Sequence, residues 1–195
     1  MGIMTSVPTQ SAAHFCQRRA LLTGPIRYLG VYVLSGRAFR CSYDQNKCQY
    51  FKVFNAIFCK VGRYGPEEVV LNLLRTKCLL VLLYGVEACP LLVRDRKSFD
   101  FTITRSFMKS FHTGSVTVVT DCQKFSYFLP VTYQIDIRTV KFLQKFQSSD
   151  NHICNLFSKK AETGVKNIFL QYGSQIHNVY NLKNLFENTF FGYDS

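Results

Sequence analysis

Acidic side chains are scarce in this sequence, with 12 Asp and Glu against 24 Lys and Arg, and the carboxylates that do occur are scattered. Metal-dependent phosphoryl transfer needs at least two carboxylates converging on cations about 3.5–4 Å apart. No pair here offers that. Asp95 and Asp100 are five apart across a helix start and so lie on different faces, while Asp44, Asp121 and Asp150 read as helix-start residues. His14, His112, His152 and His177 are isolated and form neither an HExxH motif nor a ligand pair with cysteine, so no metal site and no cofactor is expected. The Gly-rich phosphate loops GxxxxGKS/T and GxGxxG and the nucleophile elbow GxSxG are also missing, which leaves no expected small-molecule substrate.

CxxC pairs are missing too, although there are 8 cysteines. Cys16, Cys41, Cys48, Cys59, Cys78, Cys89, Cys122 and Cys154 are widely spaced, mostly among apolar neighbours, and read as small core residues in a reducing compartment. The first residues carry no charged start followed by an apolar run, so no cleaved leader is expected, and cytoplasm or nucleus is the expected location. Long hydrophobic runs are absent. The longest candidate, from Cys78 to Val93, contains Gly85, Glu87 and Pro90. A spanning helix needs ~20 residues, so this stretch reads as a buried helix followed by a turn, and no membrane association is expected.

What the sequence does have is apolar bulk and positive charge. Hydrophobic residues make up 47 %, including 18 Phe and 11 Tyr, in 195 residues, which is enough for one domain with a real core. The net charge of +12 points first to polyanions such as nucleic acid or anionic membrane, and charge alone does not choose between them. Residues 1–113 hold 16 Lys and Arg and 6 Asp and Glu, a net of +10, whereas residues 114–195 hold 8 and 6, a net of +2. A phosphate-bearing partner should therefore meet the first part, with an ordinary solvated surface as the alternative.

Residues 1–24 show no sustained period and form a poorly specified lead-in. From 25 to 41 the β-rich run Tyr28–Leu34, a stop at Ser35-Gly36 and a second run to Cys41 predict a hairpin. A helix should open near Ser42, whose hydroxyl and Gln45 can form a capping box. Its apolar stripe is Phe51, Phe54, Phe58 and Val61, widened by Tyr50, Val53 and Ile57, and Gly62 should end it. Gly65-Pro66-Glu67-Glu68 starts a second helix expected to run to Tyr84 with Gly85 as its stop. A third should run from about Arg94 to Phe111, burying Phe99, Ile103, Phe107 and Phe111. Residues 116–128 are ambiguous and lean to helix. Pro130 precedes a helix over about 131–147 carrying Ile135, Phe142, Leu143 and Phe146. Residues 42–150 thus form one helical region. The segment 151–195 reads as a weakly helical tail, broken at Gly164 and fraying over its last twenty or so residues. The expected fold is mainly α, a short β-hairpin followed by a bundle of four to five helices.

Specific residues add a resemblance that periodicity does not give. Ile26-Arg27-Tyr28-Leu29-Gly30-Val31-Tyr32, then Ser35-Gly36-Arg37-x-Phe39-x-Cys41-Ser42, then Phe54-Asn55-Ala56-Ile57-Phe58-x-Lys60-Val61-Gly62-Arg63 are collinear with Glu67-Glu68-Val69-Val70, Lys77-Cys78-Leu79 and Val81–Leu91. Weaker matches follow at Phe99-Asp100-Phe101, Met108-Lys109-x-Phe111, Lys141-Phe142-Leu143-x-Lys145-Phe146 and Cys154-x-Leu156-Phe157. Over about residues 26–157 the chain resembles the reverse transcriptases of non-LTR, Jockey-like retrotransposons. It departs from them at Leu80, where the family usually has proline, and at Arg96, where an apolar residue is usual. Loss of the proline should let the second helix run straight. An arginine on a buried stripe is costly unless its head reaches water.

The resemblance implies the palm end and thumb of an RNA-directed DNA polymerase. Tyr28, Leu29 and Gly30 would map to the primer-gripping hairpin, and Lys47, Lys52, Lys60 and Arg63 would lie on the helix after it as nucleic-acid contacts. Ordinary sheet packing and a solvated helix face are the alternatives. The family's metal-binding aspartates would precede Ile26, and residues 1–25 contain neither Asp nor Glu. The chain as it stands is therefore expected to be no enzyme, but a remnant with at most nonspecific binding to RNA or DNA. The alternatives are a protein-interaction module that reuses the helical bundle, or a poorly folding pseudogene product. Oligomeric state is left open.

Overall fold

The computed structural model describes residues 25–61, 65–173 and 176–192. The chain divides into two compact units at the Ser42–Tyr43 junction, a small sheet and a larger helical unit. Mainly helical character with a small antiparallel sheet is what the sequence predicts, but the details differ.

The sheet has three strands, β1 (Ile26–Tyr28), β2 (Val31–Leu34) and β3 (Arg40–Ser42), in the order β1-β2-β3 and antiparallel throughout. Ile26 pairs with Val33 and Tyr28 with Val31, then Tyr32 pairs with Ser42 and Leu34 with Arg40. The run expected to continue from Tyr28 to Leu34 is broken by a two-residue turn at Leu29-Gly30, with φ of 45° and 82°. Two positive φ values give the turn a twist that matches right-handed strands. Gly30 adopts this freely, and Leu29 does so against its Cβ. Ser35-Gly36 lies in the longer connection to β3.

Ser42 does not start the first helix, because pairing with Tyr32 holds it extended. Helix α1 is Asp44–Val61, and Lys47 N–H donates to the Tyr43 carbonyl at 3.1 Å. It buries Asn46, Tyr50 and Phe54, four apart, while Phe51, Phe58 and Val61 are half-buried. Cys48 and Cys59 are exposed, contrary to the expectation that every thiol packs in a core, whereas Cys78 is fully buried.

Helix α2 covers residues 67–82, as an α segment Glu67–Leu73, a π segment Leu74–Cys78 and a last α turn Leu79–Leu82. It runs through Leu80 and ends short of Tyr84. At the widened segment the Thr76 hydroxyl donates to the Asn72 carbonyl at 2.8 Å, a back-bond that competes with the helical ladder. The end of α2 is capped from α1, where Asn46 Nδ2 donates to the Leu82 and Tyr84 carbonyls at 3.3 and 3.0 Å.

Helix α3 is Val93–Ser110, started by the Asp95 carboxylate accepting from Leu92 N–H at 3.2 Å. Phe99, Ile103 and Phe107 are buried as the spacing predicts, and Phe111 is half-buried. Residues 116–128 resolve as helix α4 (Val116–Phe125), so Asp121 is interior to a helix and not at its start. Helix α5 is Val131–Gln147. It buries Val131, Ile135, Asp136 and Val140, whereas Phe142, Leu143 and Phe146 are half-buried.

The C-terminal part corrects the expected frayed tail. Short α6 (His152–Leu156), α7 (Ser158–Tyr172) and α8 (Val179–Phe191) bring the helices among the described residues to eight, more than the four to five expected. Gly164 does not break α7. A Cβ there would stand 3.1 Å from Leu143 Cδ1, so the glycine lets α7 lie close to α5. Val140, Val165, Phe169, Ile176, Leu182 and Phe186 form one core cluster, with the Tyr133 ring stacked 4.3 Å from Phe186. This burial, not helix propensity, orders the Asn-rich end.

Arg96 is accommodated by charge. Its Nη2 lies 2.7 Å from Asp136 Oδ1, and the Tyr172 hydroxyl donates to Asp136 Oδ2 at 2.7 Å. The Asp136 side chain is 1 % exposed and that of Arg96 29 %, so the guanidinium reaches solvent while its partner does not. Breaking a buried pair leaves an uncompensated charge, which costs roughly 3–5 kcal/mol. Replacing Arg96 by leucine should therefore lower the unfolding free energy by about that amount, and replacing both Arg96 and Asp136 by apolar residues should cost clearly less; urea titration of the single and double variants checks this. Burial also pushes the Cys78 thiol up to about 11. Alkylation at neutral pH should then modify Cys48 and Cys59 in the native chain and Cys78 only after unfolding, as mass spectrometry would report.

Candidate nucleic-acid interface

Helices α1 and α3 lie side by side, joined among other contacts by side-chain hydrogen bonds. Tyr50 donates its hydroxyl to Ser106 Oγ at 2.7 Å in the buried seam. Lys47 Nζ donates to Ser98 Oγ at 3.0 Å, and Lys109 Nζ to Asn55 Oδ1 at 2.8 Å. Burial pushes the Tyr50 phenol well above its usual range despite the Ser106 bond, so it stays a neutral donor.

Between the two helices runs an open groove of about 350 Å³, lined by Phe51, Phe54, Asn55, Arg105, Met108 and Lys109 among others. The Lys109 ammonium sits 5.0 Å from the Phe58 ring centroid and 5.9 Å from that of Phe54, within reach of a cation–π attraction. Arg105 and Lys109 are both exposed and four apart on α3. The groove is thus an aromatic floor with cations along one wall. The cations suit phosphates, and of the two lining rings Phe54 is buried while the half-buried Phe51 is within reach of a base.

The expected site residues fall into two sets. Tyr28, Leu29 and Gly30 share the β1–β2 turn in the sheet unit, with Tyr28 68 % and Leu29 74 % exposed. Lys47, Lys52 and Lys60 share α1 in the helical unit. Lys52 and Lys60 are exposed, eight residues apart and so about 12 Å along the helix axis. Lys47 is committed differently, since it is ion-paired to Asp44 at 2.8 Å as well as bonded to Ser98. Arg63 lies outside the described residues. Arg105 and Lys109 were not among the sequence candidates, and their spacing of four on the polar side of α3 is the signal that could have found them.

The half-buried Asp100 and the buried Asp136 belong to a structural network, not to this groove. Asp100 accepts from the Thr132 hydroxyl at 2.6 Å and from Thr132 N–H at 3.4 Å, while Asp136 is held by Arg96 and Tyr172. Among the described residues no group of three or more His, Cys, Asp or Glu could hold a metal ion. Burial raises the Asp100 carboxyl, against the Thr132 bonds and the Arg96 charge. Burial works against the Arg96 charge as well, but the bond to Asp136 and its charge outweigh it and the guanidinium is raised. The Tyr172 phenol is raised by burial and then by Asp136.

A carboxyl raised above its unfolded pKa holds its proton more tightly in the folded state. Its contribution to stability is complete below the unfolded value, about 3.9 for Asp, and is lost as pH rises through the folded value. Asp100→Asn, which keeps an acceptor for Thr132 without the charge, should therefore be closest to the parent at the acid end of this window and gain on it as pH rises. Urea midpoints of both proteins on the two sides of that window measure this relative gain. No family model, no curated protein and no solved structure matches this chain.

Proposed function

We propose that this chain, as it stands, is a non-catalytic nucleic-acid-binding module, a remnant of the palm end and thumb of a non-LTR retrotransposon RNA-directed DNA polymerase. The observation that carries the reading is the α1–α3 groove, which Arg105 and Lys109 line together with Phe51 and Phe54, with Lys52 and Lys60 exposed on the adjoining helix. Phosphates are drawn by the cations through counterion release, and the half-buried Phe51 ring offers a face to a base whatever its identity. In this reading binding is electrostatic and indifferent to sequence. The exposed Tyr28 and Leu29 at the hairpin turn give a second apolar contact for a strand end. Catalysis is not part of the proposal, because the described residues supply no cluster of metal-binding carboxylates.

Fluorescence anisotropy with a labelled DNA duplex, titrated across salt concentrations, tests this directly. Affinity should fall along a straight log–log line whose slope is about −0.9 for each phosphate neutralised. Lys52→Ala with Lys60→Ala should make that slope shallower by up to about 1.8, and Arg105→Ala with Lys109→Ala by a similar amount. A slope unchanged in both double variants would remove the groove from the proposal. Primer extension with magnesium and nucleotides should give no product, and an extended primer would end the non-catalytic reading.

A further inference from the structure

A second concavity in the helical unit has the opposite charge character. It lies between α2 and the C-terminal end of α4, has a volume of about 730 Å³, and is lined by Val69, Leu71, Phe111, Phe125 and Tyr127 with Glu67 and Glu68 at its rim. Its size falls in the range of binding clefts, about 300–1,000 Å³. Phe125 is 85 % exposed, Tyr127 63 % and Val69 41 %. Exposed apolar residues are ordinary when solitary, but here three converge on one hollow.

The wall carrying Phe125 and Tyr127 is built and held. Arg75 Nη2 donates to the Ser126 and Tyr127 carbonyls at 2.8 and 3.1 Å, and its guanidinium lies 5.6 Å from the Phe128 ring centroid. Tyr127 itself has φ of 51°, and His112, next to the lining residue Phe111 at the end of α3, has φ of 49°. Left-handed backbone at a non-glycine residue is strained and persists where surroundings enforce it. Strained turns thus stand at or beside lining aromatic side chains.

Charge selects the occupant. Arg75, the only cation among the described residues that line the cleft, is directed at backbone carbonyls, while Glu67 and Glu68 remain exposed. Among the described residues neither glutamate has an ion-pair partner in the fold, although both lie favourably in the first turn of α2. In a chain of net charge +12 this is a local acidic rim around an apolar floor. We propose that the cleft binds a cationic amphipathic peptide segment of a partner protein, with its apolar face on Phe125, Tyr127 and Val69 and its lysines or arginines at Glu67 and Glu68. This is independent of nucleic-acid binding, since the cleft shares no lining residue with the α1–α3 groove. A polyanion has no reason to enter here.

The test is fluorescence polarisation of the full chain with two labelled helical peptides, one of leucine and lysine and one of leucine and glutamate, each with leucines at helical spacing. The lysine peptide should bind saturably and at least about tenfold more tightly than the glutamate peptide, against the repulsion expected from overall charge. Glu67→Lys with Glu68→Lys should weaken it about tenfold or more, and so should Phe125→Ser. Because Phe125 is so exposed, Phe125→Ser should leave the thermal midpoint in place, which separates loss of the site from loss of the fold. Charge reversal at Glu67 and Glu68 should leave nucleic-acid affinity undiminished. Absence of saturable binding, a preference for the glutamate peptide, or equal affinity in both variants would overturn the proposal.

Discussion

Asp136 stays buried because two groups from two other helices come to it. The Arg96 guanidinium approaches from α3 and the Tyr172 hydroxyl from α7, each at 2.7 Å, and together they occupy both carboxylate oxygens. A bare carboxylate at that depth would cost several kcal/mol, so α3, α5 and α7 are constrained to a packing that keeps both partners in reach. The pair need not add net stability over an apolar alternative. It constrains register. Through α3 it also constrains the helix that carries Arg105 and Lys109, and through α5 the helix against which the C-terminal cluster assembles.

The same logic runs along the α1–α3 seam, where Tyr50 meets Ser106 with the phenol kept neutral by burial. Part of the chain's positive charge is engaged internally in this way. Lys47 is tied to Asp44 and Ser98, Arg75 to two backbone carbonyls and Arg96 to Asp136. What remains is local: exposed cations around an aromatic groove on α1 and α3, and an apolar cleft rimmed by glutamates at α2 and α4. Two surfaces of opposite character in one helical unit suit two different kinds of partner.

Local sequence was enough for helices α1, α3 and α5, because apolar residues at intervals of three and four leave a stripe that only a helix can bury. It was enough for the start of α2, where proline and two glutamates fit the first turn, and for Lys52 and Lys60 as exposed cations opposite that stripe. Arg96 could be recognised as anomalous on a buried face. Its remedy could not, since Asp136 lies forty residues away and reads by itself as one more polar residue on a helix.

Tertiary structure decided the rest. Leu29 takes a positive φ because strand pairing on both sides demands a two-residue turn, although a β-rich run conceals it. Helix α8 forms from Asn-rich sequence because Leu182 and Phe186 find a core on α5 and α7, and Gly164 becomes a point of close approach and not a break. Asn55 with Lys109, and the strained walls of the acidic cleft, exist only once distant helices are side by side. Periodicity encodes which face of an element is buried; it carries no information about which other element will bury it, and that is why the elements were readable and the surfaces were not.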